Sequence, residues 1–214
     1  MIKGVIFDMD GVLVDSEPFV SRAAIKMFSE LGYAVKPEDF LPFVGAGEDR
    51  YIGGVAQKYG IELNLPQAKE RTYAIYGKIV EGCLKPLKGV CQFIDKARAK
   101  GLKLAIASSA DAVKVNINLK ELKFPPAAFD AVVCGNDVEK KKPNPKIFLL
   151  AAERLGLLPQ ECLVVEDSVN GVKAAKAAGC RCLAVTTSFS REELTGADWI
   201  SPNLAEAPEE VLSW

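Results

Sequence analysis

Five short apolar runs, Lys3 to Phe7, Leu102 to Ala107, Ala131 to Cys134, Cys162 to Val165 and Arg181 to Thr186, punctuate the chain. They are nearly unbroken by polar residues, the pattern of strands covered on both faces in a parallel sheet. Helical stripes lie between them. Val90, Phe93, Ile94 and Ala97 lead to a stop at Gly101; Pro145 opens a stretch carrying Phe148, Leu149, Ala152 and Leu155 before Gly156; Val172, Ala175 and Ala178 end at Gly179. Strands alternating with helices build right-handed βαβ units, so the expected fold is α/β, a doubly wound parallel sheet.

The alternation breaks once. After the first run, residues 16–85 read as helices only. Ser16 is placed to cap a helix with Pro18 in its first turn and Val20, Ala24, Met27, Phe28 and Leu31 along one stripe, stopped by Gly32. A second stripe carries Ile52, Val55, Ala56 and Tyr59. A third opens near Pro66 and carries Ala68, Thr72, Ile75 and Ile79. The expected organisation is a core of residues 1–15 and 86–214 with a helical domain, 16–85, inserted after the first strand. Gly82, Pro86 and Gly89 mark its return.

Composition narrows the chemistry. The 214 residues carry 27 Lys and Arg against 28 Asp and Glu, which leaves no basic footprint for nucleic acid. No apolar run reaches the roughly 18 residues of a membrane span. There is no histidine, which excludes Ser-His-Asp triads, phosphohistidine and imidazole acid–base chemistry. The six cysteines form no Cys-x-x-Cys pair and read as reduced core thiols, Cys180 and Cys182 included. Asp8 and Asp10 interrupt the N-terminal apolar stretch before it resembles a secretory signal, so a cytoplasmic location is expected. A monomer is the expected state.

In open α/β sheets ligands sit beyond the carboxyl ends of the strands. Just past the apolar runs stand Asp8, Asp10 and Gly11, then Ser108 and Ser109, then Lys142 before Pro143, then Glu166 and Asp167. Converging carboxylates need a counter-charge, and oxygen-only donors with room for water favour Mg²⁺. Asp8 would attack phosphorus, a nucleophile that needs no prior deprotonation. Asp10 would give a proton to the leaving oxygen and take one from the hydrolytic water. Lys142, Ser108 and amides near Ser109 would hold the phosphate oxygens. Plainer readings exist for each: Asp-x-Asp is common by chance, Lys140-Lys141-Lys142 is an ordinary solvated run with Lys141 as a fallback, and Ser108 fits a helix cap, itself a phosphate site.

At these residues the sequence resembles the haloacid dehalogenase superfamily, in its β-phosphoglucomutase-like and phosphatase branch with a helical cap. Asp8-Met9-Asp10-Gly11-Val12-Leu13 is similar to the nucleophile motif, Ser108 to the second, Lys142-Pro143 to the third, and Glu166-Asp167-Ser168 to the fourth. The resemblance implies a Rossmann-like core, and Mg²⁺ held by the Asp8 side chain, the Asp10 main-chain carbonyl and Asp167, with Glu166 acting directly or through water. Val44-Gly45-Ala46-Gly47-Glu48 resembles the cap loop that reaches over the active site. Here Glu48 stands where the mutases carry arginine, Val20 where they carry histidine, and Asp111-Ala112 where they carry Lys-Asn. The second cationic pocket that a bisphosphate intermediate requires is therefore not expected, and Glu48 becomes a candidate binding residue. The segments around Gly45 to Ala56 and Ser108 to Lys120 also resemble the phosphatase-like domain of plant suppressor-of-quenching proteins.

These readings converge on a Mg²⁺-dependent phosphatase acting on a small, sugar-like phosphorylated metabolite. A hexose-phosphate mutase, an inorganic pyrophosphatase and a phosphate-binding regulatory module are the alternatives. Lys78, Lys85, Tyr76 and Arg50 are further candidates for substrate contact.

Overall fold

The fold comes from a computed structural model that describes residues 1–45 and 47–214; Ala46 of the loop motif lies outside them. Six strands, β1 (Gly4–Phe7), β2 (Lys103–Ala107), β3 (Ala131–Val133), β4 (Cys162–Glu166), β5 (Arg181–Val185) and β6 (Trp199–Ser201), form one parallel sheet in the order β3-β2-β1-β4-β5-β6. Five are the apolar runs of the sequence. The sixth, β6, was not anticipated: it is a three-residue edge strand whose Trp199 and Ile200 are only half-buried, too short to show periodicity.

The period-two alternation of the strands splits the core into two layers. Val5 and Phe7 of β1, Leu104 and Ile106 of β2, and Leu163 and Val165 of β4 face one way, beneath α4 (Val90–Ala99) and α5 (Ala112–Glu121). Ile6, Ala105, Ala107 and Val164 face the other, beneath α6 (Lys146–Leu155) and α7 (Val169–Ala177). Small residues on that second face let the helices approach closely. Gly156 ends α6 in the left-handed conformation, φ 67°, as a stop signal should.

Between β1 and α4 lie α1 (Glu17–Glu30), α2 (Glu48–Lys58) and α3 (Leu65–Val80), with no strand among the described residues of this stretch. Met27 and Phe28 of α1, Ile52 of α2 and Tyr76 of α3 are buried together, each large side chain contributing roughly 1.5–3 kcal/mol. The chain leaves and returns side by side: Val14 bridges Pro86, and the Leu87 amide donates to the Leu13 carbonyl at 3.0 Å.

Two local expectations are corrected. The Ser16 hydroxyl makes no cap bond to α1 and is turned instead to Asp10, because the loop that buries Ser16 brings it against that carboxylate. Of the six free thiols only Cys134, Cys162, Cys180 and Cys182 are core; Cys83, in the turn after α3, and Cys91, on the outer face of α4, are exposed. No helix among the described residues is long and apolar enough to cross a membrane.

Candidate active site

Strand order reverses around β1, so the C-terminal ends of β1, β2 and β4 open onto a common crevice. Register aligns Phe7 with Ile106 and with Val165, and the Asp8 amide donates to the Val165 carbonyl at 2.9 Å. Asp8 thus stands beside Glu166, with Ser108 and Asp167 one residue further along their chains.

Lys142 enters from the loop after β3. Its ammonium contacts Asp8 Oδ1 and donates to Glu166 Oε1 at 2.6 Å and to the Ala107 carbonyl at 3.1 Å. It also stands 4.8 Å over the Phe148 ring. A buried ammonium persists only when so paired. Against the desolvation that burial imposes, the Asp8 and Glu166 carboxylates keep Lys142 protonated beyond its usual range. Burial pushes Asp8 up to about 7, with Lys142 opposing the rise and Glu166 and Asp10 adding to it. Lys141, the fallback, donates to the Gly135 carbonyl instead.

Both oxygens of Glu166 accept hydrogen bonds. Its Oε2 accepts the amides of Asp167 and Ser168 and the Ser168 hydroxyl, each at 2.9 Å, while Oε1 takes Lys142. A Cβ at Gly171 would lie 1.8 Å from the Glu166 carboxyl carbon, so a glycine in the first turn of α7 is what lets this carboxylate lie there. Glu166 therefore meets Lys142 through Oε1 and the start of α7 through Oε2. Asp167 leans over Gly11, where a Cβ would meet Asp167 Oδ2 at 1.9 Å and where φ is +79°. That brings the Asp167 carboxylate to the peptide that follows Asp10. Burial, then the charges of Glu166 and Asp8, hold Asp167 well above the usual carboxylate range. Among the described residues no three acidic or thiol side chains converge at metal-binding spacing.

Both oxygens of Asp10 are occupied. Oδ1 accepts the Ser16 hydroxyl, and Oδ2 accepts the Lys114 ammonium at 3.0 Å. Lys114 was not anticipated. It lies on α5, is 4% exposed, and stands 3.7 Å from Glu48 Oε1. Desolvation works against its charge, but Asp10 and Glu48 outweigh it and raise its pKa. The signal was present in sequence: Lys114, Val115, Asn118 and Leu122 share one helical stripe, and the lysine and asparagine occupy places where a core stripe is ordinarily apolar.

The remaining predicted residues divide cleanly. Ser108 is 1% exposed and its Oγ accepts the Ala110 amide at 3.1 Å, so it does not cap α5. Ser109 Oγ is buried and has no hydrogen-bond partner among the described residues. Both line the cavity, as do Glu48, Asp8, Asp10, Lys142, Glu166 and Asp167. Glu48 is no exposed loop residue: it opens α2 and is buried, which raises its pKa, while Lys114 opposes the rise. The Tyr73 hydroxyl lies near Glu48 and Asp111 without reaching hydrogen-bond geometry to either. Lys78, Lys85, Tyr76 and Arg50 do not line the cavity. Tyr76 is buried on Asn118, and Arg50 and Lys85 point to solvent.

Comparisons with known proteins agree with this architecture. The haloacid dehalogenase-like hydrolase family matches residues 5–185. The chain is 43% identical over 202 residues to SUPPRESSOR OF QUENCHING 1, chloroplastic, of Arabidopsis thaliana, covering 92% of this chain but only 19% of that much longer protein. It is 33% identical over 178 residues to a phosphorylated carbohydrates phosphatase of Thermotoga maritima, covering 83% and 82% of the two chains. A crystal structure of a CbbY variant from Rhodobacter sphaeroides, in complex with a xylulose bisphosphate, superposes with a TM-score of 0.90 at 27% identity over the full length of both chains. The chain belongs to the haloacid dehalogenase-like hydrolase family.

Proposed function

We propose that the chain is a Mg²⁺-dependent phosphatase that hydrolyses a small, sugar-like phosphomonoester through an aspartyl-phosphate on Asp8. The observation that carries this reading is the convergence on one strand-end crevice of Asp8 and Asp10, Lys142, and Asp167 from three separate parts of the chain. The relative from Thermotoga maritima, named for phosphorylated carbohydrates, supports the substrate class.

The donor set fits Mg²⁺. Asp8 and Asp167 are buried carboxylates whose ionisation is resisted by burial and by neighbouring carboxylates, Glu166 beside both, which a divalent cation would relieve. The side chains of Asp8 and Asp167 and the carbonyl of Asp10 would hold it, with water completing the shell. When bound, Mg²⁺ supplies positive charge that admits a phosphate dianion and offsets charge on its oxygens in the transition state.

The chain's own residues do the rest. Asp8 attacks phosphorus in line with the ester oxygen. Lys142, fixed by Glu166 and the Ala107 carbonyl, neutralises the nucleophile's neighbourhood and binds a phosphate oxygen. Ser108 and the amides beside it bind another. Asp10 gives its proton to the leaving oxygen and then takes one from the water that cleaves the Asp8 acyl-phosphate. Residues 16–85 act as a cap: Phe43, Val44, Glu48 and Tyr51 from that segment line the same cavity as Asp8 and exclude bulk water.

Phosphate release from a panel of sugar phosphates, phosphoglycolate, nucleotides and pyrophosphate tests the reading. Activity with Mg²⁺, lost on chelation, restored by Mg²⁺ and absent in Asp8→Asn, supports it. Full activity in Asp8→Asn rules out the covalent route, and interconversion of glucose 1- and 6-phosphates faster than phosphate release would replace phosphatase by mutase.

A further inference from the structure

We infer that the cavity selects phosphate monoesters whose remaining part is uncharged or cationic, and turns away a second anionic group. The inference rests on the phosphatase reading only for which end of the cavity takes the transferred phosphate.

Among the described residues lining the cavity the sole cations are Lys142 and Lys114. Neither is free for a second anion beyond the transferred phosphate. Lys142 is held between Asp8 and Glu166, and Lys114 between Asp10 and Glu48. Seven carboxylates line the same walls, so even a divalent ion and a proton on Asp10 leave them without surplus positive charge. The apolar part of the lining is Val20, Phe43, Val44, Tyr51 and Phe189, and the carboxylates of Asp15, Glu17 and Glu48 line the same cavity. A second phosphate would exchange water for apolar and like-charged walls that carry no cation to spare for it.

A second, independent feature points to an uncharged polar partner. Ser109 is 8% exposed and lines the cavity, and its buried Oγ has no hydrogen-bond partner among the described residues. A buried hydroxyl left unpaired is costly. A hydroxyl or ester oxygen of a bound sugar satisfies it, by donating or by accepting, with no charge required. Tyr51, whose hydroxyl donates to Glu17, lines the same cavity and holds that carboxylate against it.

The test compares four probes on one scaffold: glucose 6-phosphate, glucosamine 6-phosphate, glucose 1,6-bisphosphate and 6-phosphogluconate. Affinities are measured by calorimetry on Asp8→Asn with Mg²⁺, after a melting curve has shown it folded, and kcat/KM is measured on the wild type. Glucose 6-phosphate and glucosamine 6-phosphate are expected to bind within threefold of each other. The bisphosphate and the gluconate are expected at least tenfold weaker. Bisphosphate binding as tight as the monophosphate, or no binding by any probe, overturns the inference. Failure of the phosphatase reading looks different: the affinity order holds, but wild-type protein releases no phosphate from any ester.

Discussion

Lys114 Nζ, on a core helix, lies 3.0 Å from Asp10 Oδ2 and 3.7 Å from Glu48 Oε1, on the helical segment across the cavity. One buried ammonium therefore touches the residue assigned to proton transfer and the first turn of the helix that covers it. Position along α5 makes this possible: Lys114 faces inward with Val115 and Asn118, while Lys120 on the same helix is directed outward.

If Lys114 positions Asp10, its loss must show where the proton matters. Lys114→Met is expected to lower kcat for alkyl phosphates about ten- to a hundredfold, a fraction of the roughly 10²–10⁴ that acid–base catalysis supplies. Turnover of 4-nitrophenyl phosphate, whose leaving group needs no proton, should fall less than threefold, and Lys114→Arg should recover part of the alkyl rate. Equal loss on both substrates would reduce Lys114 to a packing residue.

Lys142 makes a stability prediction. Lys142→Met strands Asp8 and Glu166 beside each other without a counter-charge, and breaking a buried pair in this way costs about 3–5 kcal/mol. Urea denaturation without metal should show that loss at pH 8 and a smaller one at pH 5, where protonating a carboxyl relieves the repulsion. A loss that does not change with pH would mean that Lys142 contributes packing on Phe148 rather than charge.

The site was legible in sequence wherever its chemistry sits at a strand end. Asp8, Ser108, Glu166 and Asp167 each follow an apolar run, and a parallel sheet delivers such positions to one edge whatever the side-chain details. Lys142 was legible only through its motif, since a run of three lysines says nothing about which one is buried. Lys114 was missed because its place is set by helical phase, not by adjacency to a strand. Glu48 was read as loop charge because nothing in its neighbourhood announces that Lys114, more than sixty residues on, will bury it. The edge strand β6 escaped for want of length.

Asp8 and Asp167 set the pH dependence. Burial raises both above the ordinary carboxylate value, Asp8 to about 7, so metal-free folded protein binds more protons than the unfolded chain in that window. The Asp8 contribution to stability is present below about pH 4 and is lost as pH rises through about 7, and that of Asp167 is lost in the same direction. Mg²⁺ competes with those protons, so its stabilisation should run the other way. The rise in Tm on adding Mg²⁺ should be larger at pH 8 than at pH 5.5. An equal rise at both values would detach metal binding from these carboxylates.

Two glycines to alanine separate close approach from helix propensity. At Gly171 a Cβ would fall 1.8 Å from the Glu166 carboxyl carbon, so Gly171→Ala must displace Glu166 from Ser168 and loosen Lys142. The expected cost is about 2–4 kcal/mol, within the range for disturbing a buried charged network, with a large fall in kcat. Gly77, inside α3, has only Ile117 Cδ1 at 3.5 Å from the added methyl, an ordinary contact. There Gly77→Ala should stabilise by about 0.5–1 kcal/mol through helix propensity, with kcat unchanged. Melting curves on both variants decide the matter: were Gly171→Ala to behave like Gly77→Ala, the carboxylate of Glu166 could not lie where it is described, and the anchoring of Lys142 beside Asp8 would need another explanation.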